Sequence, residues 1–502
     1  MRIINGLWVV LVTVSALLTA APLMAEVEEA PPNVVILFAD DLGYGDLGSY
    51  GHPYIRTPNL DALAQGGQGW TDFYSAAPVC SPSRAGLLTG RHPVRTGEYG
   101  RQIRVYFPDE EGGFADEEIT LAELLSEAGY RTGIFGKWHL GDRSHALPTR
   151  HGFDEWFGIP YSNDMDWEEG PDLDGMIRLR QTGQLEEIGK ISTQRRALYA
   201  EPRPGAWLVP LIRSTRSSDG SESVEQIVER PAVQRTLTKR YTEEAINFIR
   251  RAGKEPFFVY LPYTMPHTPL FRSDDFVGKS LGGRYGDVIE EIDWSVGQIE
   301  TALTNLGKLE NTLVVFTSDN GPWLTMLIEG GRAGLLRMGK GTTFEGGMRV
   351  PGIFSWPGKI QPGVVSDIGS TLDLYRTVAS FTGVSGSAGV DGFDLTPTLF
   401  RGADSPREEL AYYRAGELFA YRVGPWKLHL RTEGAYGQPP ELTIHAQPIL
   451  HHLGRDPSER FDVRAANPKI VKMIQDKIAA HQTGLETKPP AMDRRLAALT
   501  KN

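Results

Sequence analysis

The sequence predicts an α/β protein: a large, mostly parallel, mixed sheet sandwiched by helices, followed by a smaller α+β C-terminal domain with an antiparallel sheet. Three observations predict it. Short unbroken apolar runs, suited to strands buried on both faces, alternate with amphipathic helical stretches. Four strand-like segments run into chemically able polar residues: Asp40-Asp41, Lys137 with His139, His267, and Asp319-Asn320. Ligands of open α/β sheets bind at the carboxyl ends of the strands, so these residues are expected at one edge. Beyond residue 370 the alternation gives way to short strands divided by tight turns.

Taken in order, the chain opens with Met1-Arg2, an apolar run and Leu23-Met24-Ala25, the pattern of an export signal over 1–25. The apolar run is short for a membrane anchor, so no stable anchor is expected. An acidic linker, 26–32, leads into Asn33-Val-Val-Ile-Leu-Phe38, the first strand. A helix is expected over 57–66, with Thr57 as cap and Pro58 in its first turn. Another opens at Cys80-Ser-Pro-Ser-Arg84. There Ser81 suits the cap and Pro82 the first helical position, which leaves Cys80 just outside a helix N-terminus where an anion is welcome.

A helix over 120–129, ended by glycine, feeds a strand over 130–135 and then Gly136-Lys-Trp-His-Leu-Gly141. Residues 164–233 lack clear periodicity and read as an insertion over the site, with room for short helices. Helix 241–252, strand 256–261, helix 285–306 and strand 312–317 complete the large domain, 33–369. In the small domain, 370–486, a helix over 371–383 precedes strands near 411–413, 418–423, 426–431 and 449–453. A closing helix follows over 468–480, and 487–502 reads as a flexible tail.

Composition excludes little. A net charge of −11 argues against a nucleic-acid binder. Cys80 is the only cysteine of 502 residues, so no internal disulfide can form, and an unpaired cysteine in an exported chain marks a reactive or modified site. There is no Asn-x-Ser/Thr sequon. Together these traits suggest a periplasmic or secreted enzyme.

The polar residues carry a definite chemistry. Asp40, Asp41, Asp319 and Asn320 offer oxygen donors from two strand ends. Three gathered carboxylates repel one another without a cation, and an all-oxygen set favours calcium or magnesium over zinc. Arg84, Lys137, His139, His267 and Lys340 can surround an anionic group and its leaving oxygen. Lys340 lies in Gly339-Lys-Gly-Thr-Thr-Phe-Glu-Gly-Gly347, whose glycines permit close backbone approach to a ligand.

Cys80-Ser-Pro-Ser-Arg84 followed by Ala-Gly-Leu-Leu-Thr-Gly-Arg91 resembles the signature of the type I sulfatases. Gly136-Lys-Trp-His-Leu-Gly141 resembles the second signature of that family. Asp40-Asp-Leu-Gly-Tyr-Gly45, Phe316-Thr-Ser-Asp-Asn-Gly321 and the Lys340 segment resemble its metal and lysine segments. The resemblance runs from about Asn33 to Val463. It is strongest to the branch of arylsulfatase A and the N-acetylgalactosamine-6-sulfatases, through Gly152-Phe-Asp-Glu-Trp-Phe-Gly-Ile-Pro-Tyr-Ser162 and Gly334-Leu-Leu-Arg-Met-Gly-Lys340.

The resemblance implies an alkaline-phosphatase-like fold and hydrolysis of aryl sulfates or sulfated saccharides. It implies that Cys80 is converted to formylglycine by a maturation enzyme, that the hydrated aldehyde attacks sulfur, and that a sulfo-enzyme then releases sulfate. By position, Asp40, Asp41, Asp319 and Asn320 would hold one calcium ion, with magnesium less expected. Arg84 and Lys137 would stabilise the ionised hydrate, and His139 would take a proton from its second hydroxyl. His267 and Lys340 would assist the departing oxygen. Ser162 and His445 are expected to touch substrate. A homo-oligomer is left open. Two other readings compete: a phosphate or phosphonate ester hydrolase on the same fold, and a non-catalytic protein that binds sulfated glycans.

Overall fold

The computed structural model describes residues 30–217 and 223–499. The proposed export signal lies outside them. A ten-stranded sheet organises the larger part of the fold, in the order β10-β2-β9-β8-β1-β7-β3-β4-β5-β6. Its strands are β1 (Asn33–Ala39), β2 (Gln68–Tyr74), β3 (Arg131–Phe135), β4 (Glu155–Gly158), β5 (Leu211–Arg216), β6 (Ser223–Glu229), β7 (Phe257–Pro262), β8 (Thr312–Ser318), β9 (Arg349–Ser355) and β10 (Gly363–Ser370). The central run β8-β1-β7-β3-β4 is parallel throughout. Antiparallel pairs β8–β9, β9–β2, β4–β5 and β5–β6 flank it, so the sheet is mixed as expected.

The apolar runs become central strands because both faces are covered. On β1, Val35, Leu37 and Ala39 pack in one core with helices Leu237–Arg251 and Gly283–Asn305. The intervening Val34, Ile36 and Phe38 pack in another, with helices Cys80–Thr89, Leu121–Glu127 and Asp373–Thr382. Period-two alternation thus sends successive side chains into two helical layers. The Leu121–Glu127 helix starts at a capping box: Glu123 N–H donates to Thr120 Oγ1 at 3.0 Å, and Thr120 N–H donates to Glu123 Oε2 at 2.8 Å.

Four details differ from the sequence expectations. First, the helix at the cysteine begins at Cys80 itself, with Val79 as its extended N-cap. Ser81 Oγ does not cap it but accepts from Tyr106 N–H at 3.2 Å. Second, the insertion has short helices, Leu173–Gln181 and Leu185–Ala200, as its reading allowed, but it also forms the β5–β6 hairpin, which extends the large sheet at one edge. Third, β10 and helix Asp373–Thr382 still pack on the large sheet through Leu374, Tyr375 and Val378, so the change of architecture comes after them and not at residue 370. Fourth, residues 488–492 of the expected flexible tail are held down. Met492 is fully buried, and Lys488, Ala491 and Met492 N–H groups donate to the carbonyls of Val94, Gly97 and Tyr99.

The second sheet is antiparallel in sequence order: β11 (Glu409–Arg414), β12 (Glu417–Val423), β13 (Trp426–Thr432) and β14 (Thr443–His452). Helix Pro468–Thr483 covers it, with Ile474 and Ile478 packed among Leu428 and Leu450. Among the described residues no helix is long and apolar enough to cross a membrane.

Candidate active site

The strand order places the site. β8, β1, β7 and β3 are consecutive in the sheet, and they carry Asp319-Asn320, Asp40-Asp41, His267 and Lys137/His139 beyond their carboxyl ends. Backbone hydrogen bonds stitch these ends together. Asp319 N–H donates to Ala39 O, Asp40 N–H to Met265 O, and Lys137 N–H to Pro262 O. Asp41 and His139 both adopt left-handed backbone with φ near +65° and +63°. That conformation costs an ordinary residue about 1 kcal/mol or more and persists where the surroundings over-determine it. At Asp41 the hold is a bond from its own N–H to Asp319 Oδ1 at 3.1 Å.

The glycines of the Lys340 segment serve a purpose other than the expected one. A Cβ on Gly321 would stand 1.8 Å from Gly346 O, and one on Gly346 would stand 2.1 Å from Met338 O. They let backbone pack on backbone, which presses the Lys340 segment against the end of β8, and no ligand is needed to explain them.

Cys80 occupies the first turn of its helix and is buried. Its Sγ donates to Asp40 Oδ1 at 3.5 Å. Burial and the Asp319 carboxylate push the thiol well above its ordinary range, so the group is a protonated thiol with little nucleophilic character. Around it stand three buried cations, each fastened to a carboxylate. Arg84 gives Nε and Nη2 to Asp319 Oδ2 at 3.1 and 2.8 Å and Nη1 to Lys137 O. Lys137 Nζ donates to Asp40 Oδ2 at 2.5 Å and to Ser162 Oγ at 3.2 Å. Lys340 Nζ donates to Asp41 Oδ2 at 2.8 Å and sits 4.7 Å over the Trp323 ring.

Charge follows from these contacts. Burial alone would raise Asp40, but Lys137 and Arg84 hold it well below the usual carboxylate range. Burial and the neighbouring Asp40 charge push Asp319 up. Burial opposes the Lys340 charge, yet Asp41 outweighs it and keeps the ammonium protonated. His139 is driven well below its ordinary value by burial and by Lys137, so it is neutral. Its Nε2 is bonded to Tyr106 O at 3.0 Å, which leaves Nδ1 buried and without a partner among the described residues. His267 is lowered by burial and Lys340. Its Nδ1 is bonded to Thr268 O at 2.6 Å, and Nε2 lies 3.3 Å from Ser162 Oγ and 3.6 Å from Asp41 Oδ2.

The donor set fits a hard divalent cation. Asp40, Asp41, Asp319 and Asn320 present only oxygen, and Asn320 Oδ1 is buried without a hydrogen-bond donor among the described residues. Cys80 Sγ and a His267 nitrogen lie within the same 4.8 Å cluster as Asp40 and Asp41.

Above this floor opens a cavity of about 980 Å³. Cys80, His139, Ser162, His267 and Lys340 line its base, and the two insertion helices supply one wall. The structure thus brings together every expected site residue except His445. That residue sits on β14, bonded to Thr432 Oγ1 at 2.9 Å, and is not part of the cavity lining. The C-terminal segment reaches the cavity through Tyr436 instead. Tyr436, Trp323, Arg104, Asp164, Arg195 and Tyr199 line the cavity without having been singled out from the sequence. For Arg195 and Tyr199 a signal existed: they are four apart, on one face of a helix.

Comparison with known proteins agrees with this geometry. The family model "Sulfatase" matches residues 32–384, and "C-terminal region of aryl-sulfatase" matches 405–501. Arylsulfatase A of Homo sapiens is 39% identical over 476 residues, covering 89% of this chain and 86% of that one. N-acetylgalactosamine-6-sulfatase of Mus musculus is 41% identical over 473 residues, covering 88% and 84%. The crystal structure of PsFucS1 sulfatase from Pseudoalteromonas sp. superposes with a TM-score of 0.76 at 29% identity, covering 90% of each chain. The strand-end cluster, the buried cysteine and these matches along nearly the whole chain make the protein a member of the sulfatase family, a sulfuric-ester hydrolase.

Proposed function

We propose that the protein hydrolyses the sulfate ester of a saccharide or aryl sulfate at a formylglycine made from Cys80, beside one calcium ion held by Asp40, Asp41, Asp319 and Asn320. The observation that carries this is the place of Cys80. It is buried in the first turn of its helix against Asp40, whose partner Lys137, with Arg84 and Lys340, gathers buried positive charge around the same strand ends. The hydrated aldehyde of formylglycine supplies two hydroxyl groups, one to attack sulfur and one to drive release. Calcium, when bound, supplies Lewis-acid polarisation of the sulfate oxygens, and oxygen donors favour it over a softer metal.

The chain's own residues do the rest. Arg84 and Lys137 bring positive charge to residue 80 and are fixed by Asp319 and Asp40. His139 is neutral with a free Nδ1, the state required of a proton acceptor. Lys340 places an ammonium where negative charge gathers on the leaving oxygen. His267 Nε2 faces the same space through Ser162, and a bound sulfate raises its proton affinity, so that it can donate to the departing alcohol. The balance is water plus ester to alcohol plus sulfate.

We also read residues 1–25 as an export signal. The working enzyme is then periplasmic or secreted and depends on a formylglycine-generating enzyme for maturation.

The test is mass spectrometry of the peptide containing residue 80 from the native host, paired with sulfate release. A formylglycine mass and turnover are expected, with a loss of at least about 1,000-fold in Cys80→Ala. Unmodified cysteine in active enzyme overturns the nucleophile assignment.

A further inference from the structure

Resting on that reading of the site, we propose that Asp164 and Arg195 form a specificity-determining pair that recognises a hydroxyl group on the saccharide unit bearing the sulfate ester. Both residues line the cavity with Cys80 and His267. Asp164 is 6% exposed. Its Oδ2 accepts from Tyr199 OH at 2.8 Å and from Arg195 Nη2 at 3.2 Å, while Arg195 Nη2 also donates to Asp164 O at 2.7 Å. One carboxylate oxygen is therefore satisfied and the rotamer fixed. The other, Oδ1, is buried with no donor among the described residues, and so is the Nε–H of Arg195 without an acceptor.

A carboxylate oxygen and a guanidinium N–H that both lack partners, on two ion-paired residues of one cavity lining, are costly, and native structures seldom tolerate both without a ligand's help. A hydroxyl group has the chemistry to answer either one, since it can donate to a carboxylate oxygen and accept from a guanidinium N–H. The aromatic neighbours fit the same ligand. Tyr199 and Trp323 have ring centroids 6.2 Å apart at 60°, and Trp323 stands 5.2 Å from His267. These faces can pack the C–H surface of a sugar ring whose hydroxyl reaches Asp164. An aryl or steryl alcohol without a neighbouring hydroxyl would leave both groups unpaired, and it is on this kind of deficit that sites built to hydrogen-bond a substrate discriminate.

The test uses matured enzyme and a panel: a sulfated monosaccharide that is turned over, analogues of it lacking one hydroxyl at a time, and 4-nitrophenyl sulfate. Wild-type enzyme is expected to favour the parent over one deoxy analogue by about 10- to 100-fold in kcat/KM. Asp164→Asn is expected to erase that preference, with the loss on the parent exceeding the loss on the aryl sulfate by about tenfold. Arg195→Gln gives a second reading should the first variant not fold. The proposal is overturned if wild-type enzyme is indifferent to every deoxy analogue, or if folded variants lose activity on all substrates by one common factor. An enzyme that carries formylglycine yet cleaves no sulfate ester overturns the preceding reading, an outcome distinct from cleavage without hydroxyl preference.

Discussion

Arg84 Nη2 lies 2.8 Å from Asp319 Oδ2 and 3.4 Å from Asp40 Oδ2, so one guanidinium ties the ends of two adjacent strands, β8 and β1. All three side chains are fully buried. Arg84→Ala leaves two carboxylates short of a cation and Lys137 O without its donor, and should cost about 3–5 kcal/mol in urea unfolding. Arg84→Lys keeps the charge but cannot serve Asp319 and Lys137 O together. It should fold, with sulfate release down by about 100-fold. An Ala variant as stable as the wild type would refute the role of the tie.

The second prediction concerns the metal. Asn320 donates Nδ2 to Asp41 Oδ1 at 2.7 Å, which fixes the amide and leaves Oδ1 as a ready oxygen ligand. Chelator treatment should abolish sulfate release and lower the melting temperature. Calcium at a hundredfold excess over its Kd should restore about 2.7 kcal/mol of stability, with zinc failing to do so. Asn320→Ala should weaken calcium binding measured by titration calorimetry while preserving the fold. Equal recovery with zinc would contradict the all-oxygen assignment.

The catalytic floor was legible in the sequence for a physical reason. Strands buried on both faces read as unbroken apolar runs, and parallel strands deliver the residues after them to one edge. Asp40, Lys137, His267 and Asp319 can therefore be grouped from the sequence alone. Whatever depends on tertiary docking was hidden. The β5–β6 hairpin is a sheet edge with β6 mostly exposed, so its sequence carries no core pattern. Helix Asp373–Thr382 has a clear apolar face, but amphipathicity says that a helix packs and not against what. His445 and Tyr436 lie within ten residues of each other, and only the path of β14 decides which one meets the cavity. The unpaired oxygen of Asp164 is a property of its surroundings and not of its residue type.

Glu98 gives a pH prediction remote from the metal ligands. It accepts from Tyr106 OH at 2.8 Å and from Ala115 N–H at 3.2 Å, and burial pushes it from 4.5 to about 8. Folding thus holds a proton that the unfolded chain releases above pH 4.5. The contribution of Glu98 to stability is fully present below 4.5 and is lost as pH rises toward 8, at about 1.4 kcal/mol per pH unit. Glu98→Gln supplies a permanent N–H to Tyr106 OH, which can pass its own proton to Gly113 O at 3.2 Å. Urea unfolding at pH 5.5 and 7.5 should show a decline in the wild type and a flatter profile in the variant. Because Tyr106 O holds His139, both proteins should retain similar activity at pH 5.5. Parallel pH profiles would place the charge elsewhere.

A buried ion cluster joins the small sheet to the Lys340 segment. Lys427 Nζ on β13 lies 2.9 Å from both Glu345 Oε1 and Glu459 Oε1 and donates to Thr343 O at 2.8 Å. Glu345 N–H donates to Glu459 Oε2 at 2.6 Å, and His429, driven to about 4 chiefly by burial, bonds Glu459 Oε1 at 2.7 Å. Lys427→Met strands two carboxylates in a dry interior and should destabilise the protein by about 3–5 kcal/mol. Part of that cost is uncompensated charge and not lost packing. Adding Glu459→Gln to Lys427→Met should therefore recover about 1–2 kcal/mol relative to the single variant, a coupling that a double-mutant cycle reads directly. Since Thr343 and Glu345 follow Lys340 by three and five residues, the single variant should also lose kcat more than KM, because a slackened segment displaces the ammonium from the leaving oxygen without removing the rest of the cavity. Additive effects of the two substitutions would show that the cluster is not a unit, and an unchanged kcat would show that it does not position Lys340.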